Sequence, residues 1–217
     1  MVIAIAGPTC SGKTSLATLI GQRLGQGRCA VVRQDGFYRD LSHLSEPERA
    51  LRNFDSPSAI EWRALVRAVA TLRARQPVEV PTYDFSRHCR TGETQTVRPA
   101  PIVIVEGTLI LHWQRLRRLA DLRVYVDLDM QVCRARRIER DQRERARSRD
   151  SVLCQWEATV LPMHRRYVLP CRGHADLIVP GDDLQASGDT VVAAIMRHRD
   201  DQPGGAVADR TGEPDLT

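Results

Sequence analysis

Eight residues near the N-terminus, Gly7-Pro8-Thr9-Cys10-Ser11-Gly12-Lys13-Thr14, limit the fold more than any other feature of the chain. They spell G-x-x-x-x-G-K-[ST] directly after a β-branched apolar run, Val2–Ala6, and directly before a stretch of helical period, Lys13–Leu24. The motif needs that strand-to-helix context to work. Its glycines let the backbone curl until successive N–H groups and the helix N-terminus face one anion, while the lysine brings a point charge to the β and γ phosphates. The Thr14 hydroxyl is then placed to hold Mg²⁺. Lys13 is also the only lysine among the 32 Lys and Arg residues.

Further apolar runs at Cys29–Arg33, 102–105, 124–126 and 177–179 alternate with segments of helical period at 59–75, Met130–Arg145, 152–169 and 190–198. Ser58 and Ser151 stand where caps would serve the second and fourth helices. Strands alternating with helices predict an α/β fold of the P-loop NTPase type, a mainly parallel sheet flanked by helices. At 217 residues the chain suits one domain, expected over 1–199. The remainder, 200–217, holds Pro203-Gly204-Gly205 and few large apolar residues, and reads as a disordered tail.

No apolar run approaches the length needed to span a bilayer, and the N-terminal run is too short for a signal-peptide core. Six scattered cysteines form no C-x-x-C pair, which points to free thiols and a cytoplasmic setting. The net charge of +5 raises the question of nucleic acid. Much of the excess, however, is local: eight arginines (134, 136, 137, 140, 143, 145, 147 and 149) crowd into one segment. That concentration suits phosphate handling rather than a nucleic-acid face.

Ligands of doubly wound sheets bind beyond the carboxyl ends of the strands, so acids there are the first candidates. Asp35 follows Ala30-Val31-Val32 and is the expected general base, since phosphoryl transfer needs a proton acceptor beside the phosphate cradle. The alternative is a loop acid that caps a turn. Glu106 ends Ile102-Val103-Ile104-Val105 and, with Thr14 and Asp35, is expected to serve Mg²⁺. For the arginine segment two readings stand level: a lid over about 134–149 that neutralises the transferring phosphoryl group, or a solvated helix laced with i,i+4 ion pairs.

From Ile3 to about Pro180 the chain resembles the uridine kinase (uridine–cytidine kinase) group of P-loop kinases. The blocks that carry the resemblance are the phosphate loop, Gln34-Asp35-Gly36-Phe37-Tyr38, Asn53-Phe54-Asp55, Tyr83-Asp84-Phe85 with His88 and Arg90, and Glu106-Gly107. They continue with Arg136-Arg137 to Arg140-Asp141, Glu144-Arg145 with Arg147, Pro162-Met163-His164, and 175–180. The resemblance favours the lid and implies transfer from Mg²⁺-bound ATP, or another nucleoside triphosphate, to the 5′-hydroxyl of uridine or cytidine. It implies that Asp35 is the base and that Lys13, Arg140, Arg145 and Arg147 serve the phosphates. Asp55, Arg137 and Gln155 would hold the ribose, and Tyr38, Tyr83 and His88 would meet the pyrimidine. The partners implied are nucleoside and nucleotide, with neither nucleic acid nor membrane, and a homo-oligomer is compatible with the class.

The sequence departs from the family pattern at several places. Ser56-Pro57-Ser58-Ala59-Ile60-Glu61 replaces the usual run of His, Pro, Asp, Ala, Phe and an acid, and Gly36, Thr108 and Ala146 stand where Ser or Thr, an aliphatic residue and Gly are usual. The changes beside Asp55 bear on the acceptor. A kinase for pantothenate or a pyridine riboside is the nearest competing reading, and a nucleotide-binding regulator without turnover the next.

Overall fold

The computed structural model describes residues 1–200; of the expected tail, Asp200 falls at the end of the last helix and 201–217 lie outside the described residues. Five strands form one parallel sheet: β1 (Val2–Ala6), β2 (Cys29–Arg33), β5 (Ile102–Glu106), β6 (Leu122–Asp127) and β7 (Leu177–Pro180), in the order β2-β5-β1-β6-β7. The two central strands show why these runs become strands. Every residue of β1 and β5 is buried, with Val2, Ala4 and Ala6 facing one core and Ile3 and Ile5 the other. Alternation across a sheet covered on both faces gives a continuous apolar run. Each fully buried Ile contributes about 2–3 kcal/mol.

On the first face lie α3 (Trp62–Arg73) and α4 (Gln114–Leu119), reached after α2 (Glu46–Ala50) in chain order. Trp62, Leu65, Ala68, Val69 and Leu72 form the buried stripe of α3, the 3.6-residue spacing that fits a helix to a sheet. On the other face α1 (Lys13–Leu24) packs with the C-terminal helix that starts at Leu184. Because β1 leads through α1 to β2 on one side while β5 leads to β6 on the other, the chain reverses direction around β1. The crevice at such a reversal is where ligands enter.

The expected elements are present: Val2–Ala6, Lys13–Leu24, Cys29–Arg33 and Met130–Arg145 have the expected ends, and the others are shifted. The segment expected at 59–75 splits into a 3₁₀ turn, Pro57–Ala59, and α3. Ser58 does not cap α3; its N–H donates to Ser56 Oγ, which caps the 3₁₀ turn. Likewise Ser151 lies inside α6 (Arg149–Gln155), and the cap is Ser148, whose side chain accepts from the Ser151 N–H. The helix expected at 152–169 is a composite: α6 passes through a π turn (Trp156–Val160), α7 (Leu161–Met163) and a second π turn (His164–Val168). The final helix, α8, is Leu184–Asp200 rather than 190–198.

One element had no counterpart in the sequence reading. Between α3 and β5 the chain forms an antiparallel hairpin of β3 (Val78–Asp84) and β4 (Cys89–Val97), separate from the main sheet. The hairpin presses its β3 backbone against the residues that follow β2. At Gly36 a Cβ would stand 2.6 Å from the Pro81 carbonyl oxygen, which is why Ser or Thr is not accommodated there in this chain.

Candidate active site

Beyond the carboxyl ends of β1, β2 and β5 lies a cavity of about 550 Å³. Its floor is the loop between β1 and α1. Gly7 has φ of +148°, and a Cβ on it would run into the Val126 carbonyl oxygen. Cys10 and Gly12 also have positive φ, so the backbone turns sharply before α1 begins at Lys13. Thr9, Cys10, Gly12, Lys13 and Thr14 line the cavity, whereas Gly7, Pro8 and Ser11 are buried beneath it and shape the loop. Lys13 Nζ donates to the Pro8 carbonyl at 2.5 Å. Burial lowers the Lys13 pKa, and Glu106, Cys10 and Asp35 oppose that effect.

Two carboxylates face this loop. Glu106, 5% exposed at the end of β5, accepts a hydrogen bond from Thr14 Oγ1 at 2.8 Å. Asp35 sits in the 3₁₀ turn Gln34–Phe37 that follows β2, and it lines the same cavity. Burial raises the pKa of both. Lys13 restrains each of them, and Arg145 and Arg140 also restrain Asp35. Gln34, which completes the junction, is 1% exposed, and its Oε1 accepts from the Leu109 N–H at 2.9 Å. It ties the end of β2 to the loop after β5 and so fixes the spacing of Asp35 and Glu106.

The opposite end of the cavity is aromatic. Tyr38 and Tyr83 have ring centroids 5.1 Å apart, and His88 stacks on Phe54 at 4.8 Å with 15° between the planes. Phe85 closes the group, 5.3 Å from Tyr83. The Tyr83 hydroxyl is buried without a hydrogen-bond partner in a cavity wall. Burial, together with Arg147, Arg145 and Arg49, lowers the His88 pKa, so the ring is neutral near pH 7. The hairpin delivers Tyr83 and His88, and Arg90 fastens it: Nε donates to the Tyr38 carbonyl at 3.0 Å and Nη2 pairs with Glu61 at 3.0 Å.

Between the two ends, Asp55, Arg137 and Gln155 meet. Arg137 Nη1 lies 3.7 Å from Asp55 Oδ1, and Nη2 donates to Gln155 Oε1 at 3.0 Å. Thr159 donates to Asp55 Oδ2 at 2.9 Å. Thr159 belongs to the π turn after α6, and the wider turn sets it beside both Gln155 and Asp55.

Five of the eight clustered arginines, Arg136, Arg137, Arg140, Arg145 and Arg147, line the cavity from α5 (Met130–Arg145) and the three residues after it. Arg143 instead points outward to Glu139 and Glu144. Cavity-facing arginines and an outward, ion-paired Arg143 therefore stand on different faces of this segment. Every named candidate outside the buried part of the loop lines the same cavity: Lys13, Thr14, Asp35, Tyr38, Asp55, Tyr83, His88, Glu106, Arg137, Arg140, Arg145, Arg147 and Gln155. The sequence reading left out Phe54, Phe85, Thr159 and the segment after β7, where Gly181, Asp182 and Leu184 line the cavity and Arg136 donates to the Gly181 carbonyl at 3.0 Å. Phe54 and Phe85 belong to the segments Asn53-Phe54-Asp55 and Tyr83-Asp84-Phe85; nothing in the local sequence marks Gly181 or Thr159.

Among the described residues no group of three or more His, Cys, Asp or Glu is arranged to hold a metal, and no helix is long and apolar enough to cross a membrane. Thr14, Glu106 and Asp35 offer only oxygen donors, a set that fits a hard cation sharing its remaining ligands with phosphate and water.

Residues 2–185 match the model of the phosphoribulokinase/uridine kinase family. A uridine kinase from Chloroflexus aurantiacus is 43% identical over 196 residues, which cover 90% of this chain and 94% of that one. A uridine kinase from Shewanella baltica is 39% identical over 202 residues, covering 91% and 95%. The crystal structure of a protein from Silicibacter sp. matches with a TM-score of 0.69 at 25% identity, covering 83% of this chain and 89% of that one.

Proposed function

This chain belongs to the phosphoribulokinase/uridine kinase family, and from that premise we propose that it transfers the terminal phosphoryl group of ATP to the 5′-hydroxyl of uridine or cytidine. The observation that carries the proposal is the shape of one cavity. A phosphate-binding loop with a buried carboxylate occupies one end, and an aromatic wall with an unpartnered tyrosine hydroxyl and a neutral histidine occupies the other. Its volume, about 550 Å³, lies within the range of small-ligand sites.

In this reading the pyrimidine lies against the aromatic wall, where Tyr83 and His88 hydrogen-bond its edge. Asp55, Arg137 and Gln155 hold the ribose hydroxyls and set the distance from base to 5′-oxygen. Asp35 accepts the proton of that hydroxyl as its oxygen bonds to the γ-phosphorus and the bond to the β,γ-bridging oxygen breaks. Burial raises the Asp35 pKa and makes it the stronger base, an effect that Lys13, Arg145 and Arg140 partly offset. Lys13 and the lid arginines balance the charge that spreads over the phosphates. Mg²⁺, for which Thr14, Glu106 and Asp35 are the candidate ligands, supplies further neutralisation of the polyphosphate. Six free cysteines agree with a cytoplasmic setting.

The test is ADP release from MgATP across a panel of ribonucleosides, 2′-deoxynucleosides, pantothenate and a pyridine riboside. Turnover with uridine or cytidine at least tenfold above the rest is expected. Preference for a non-nucleoside alcohol would reject the proposal.

A further inference from the structure

Asp141 has no exposed surface, yet four arginines converge on its carboxylate. Oδ1 receives Arg140 Nη2 at 2.7 Å and lies 3.7 Å from Arg145 Nε; Oδ2 lies 3.6 Å from Arg137 Nε and 3.4 Å from Arg147 Nη1. Its backbone takes part as well. The Asp141 carbonyl accepts the N–H groups of Ala146 and Arg147, closing the end of α5 where the chain turns towards α6.

We propose that Asp141 is a positioning residue that gathers Arg137, Arg140, Arg145 and Arg147 into one converging set before a polyphosphate arrives, an inference that rests on the kinase reading above. Four guanidinium groups turned into one cavity repel one another, and without a shared counter-charge they spread towards solvent. One buried carboxylate overcomes that repulsion but balances only one of four charges. The remaining positive charge faces the cavity, where the phosphates of the donor would lie. Asp141 itself has no place in the cavity wall, so it acts through the arginines and not on substrate. The arrangement also links two ends of the site. Arg137, whose Nε lies within ion-pair distance of Asp141, reaches Asp55 and Gln155 with its other nitrogens, so the carboxylate that attracts the phosphate-side arginines also attracts the sugar-side one.

Burial pushes the Asp141 carboxyl upward, and Arg140, Arg137 and Arg145 outweigh that effect, leaving it ionised below the usual aspartate range. Removing the charge without changing the shape is therefore the informative change. In Asp141→Asn, kcat is expected to fall by about 10²-fold, as displaced catalytic groups do, and the KM for MgATP to change by much less, because the arginines keep their charge and lose only their common orientation. A role in stability alone would lower the melting temperature and leave kcat per folded molecule unchanged. A second readout needs no turnover. Trypsin cuts after arginine, and cleavage between 137 and 149 is expected to be at least fivefold faster in Asp141→Asn than in the unchanged protein, with cutting elsewhere unaltered.

Should Asp141→Asn fail to fold, Asp141→Glu keeps the charge and moves it by one methylene; reduced kcat with an intact fold then supports the proposal. A kcat within twofold of the unchanged protein in the folded variant, or unchanged trypsin cutting of the segment, overturns it. If the unchanged protein phosphorylates no nucleoside, the functional reading fails separately, and the trypsin comparison still decides the role of Asp141.

Discussion

The Arg145 guanidinium carbon lies 4.2 Å from the centroid of the Phe85 ring, so the end of α5 rests on the turn that follows β3. One partner lines the cavity from the arginine-rich helix and the other closes the aromatic wall. Cation–π contact of this kind is worth about 0.5–2 kcal/mol according to its shielding from water. Phe85→Leu is expected to lower kcat/KM for the nucleoside three- to tenfold. In a double-mutant cycle with Arg145→Gln, the two losses should be less than additive by about 1 kcal/mol. Strict additivity would show that the contact carries no coupling between the hairpin and the end of α5.

Asp35→Asn keeps the shape of the turn after β2 and removes the proton acceptor. MgATP binding, followed by calorimetry, should persist, while turnover falls about 10²–10⁴-fold. Near-normal turnover would remove Asp35 from the role of base. The unchanged protein should also show its acid limb at higher pH than an ordinary aspartate would give. The base must be ionised, and burial raises its pKa above 3.8. Arg145→Gln removes one of the groups that hold the value down, so the limb in its pH profile should move further up. The linkage to stability has the opposite sense to that of a salt-bridged acid. With the folded-state pKa raised, the contribution of Asp35 is present below its unfolded value and is lost as pH rises through the folded one.

How much of this could be read from residues alone follows from which forces are local. The parallel strands were legible because burial on both faces demands unbroken β-branched runs, and the phosphate loop because its glycines and lysine are fixed in sequence. The hairpin was not. The β4 sequence, Cys89-Arg90-Thr91-Gly92-Glu93-Thr94-Gln95-Thr96-Val97, is largely exposed and carries no apolar alternation. It pairs with β3 through polar contacts instead, such as Thr94 and Thr96 donating to Glu79 at 2.8 and 2.6 Å. Asp141 shows the same limit at the site. In sequence it is the i,i+4 partner of Arg137 and of Arg145, which reads as a solvated pair. Only the packing of the helix buries it and brings Arg147 back to it across the turn.

His88→Ala is expected to raise the KM for nucleoside about tenfold and the KM for ATP by less than twofold, the loss of one hydrogen bond to the base. The backbone at His88 has φ of +52°, which alanine tolerates less well than histidine or asparagine. His88→Asn therefore serves as the control for strain in the hairpin turn. Equal changes in both KM values would place His88 outside the acceptor pocket.

Ala146 ends α5 with φ of 51° and ψ of 31°, a left-handed conformation in which a Cβ costs roughly 1–2 kcal/mol. Ala146→Gly removes that cost and adds back about 0.5–1 kcal/mol of freedom to the unfolded chain. A net gain of about 0–1.5 kcal/mol follows from the difference of these two terms, to be read as a higher urea midpoint with an unchanged slope. The Ala146 N–H donates to the Asp141 carbonyl and glycine keeps that donor, so the arginine cluster should stay assembled. A lower urea midpoint would mean that Ala146 holds the turn by restricting the unfolded chain more than it strains the folded one, and the loop between α5 and α6 would then be stiffened by the same residue that strains it.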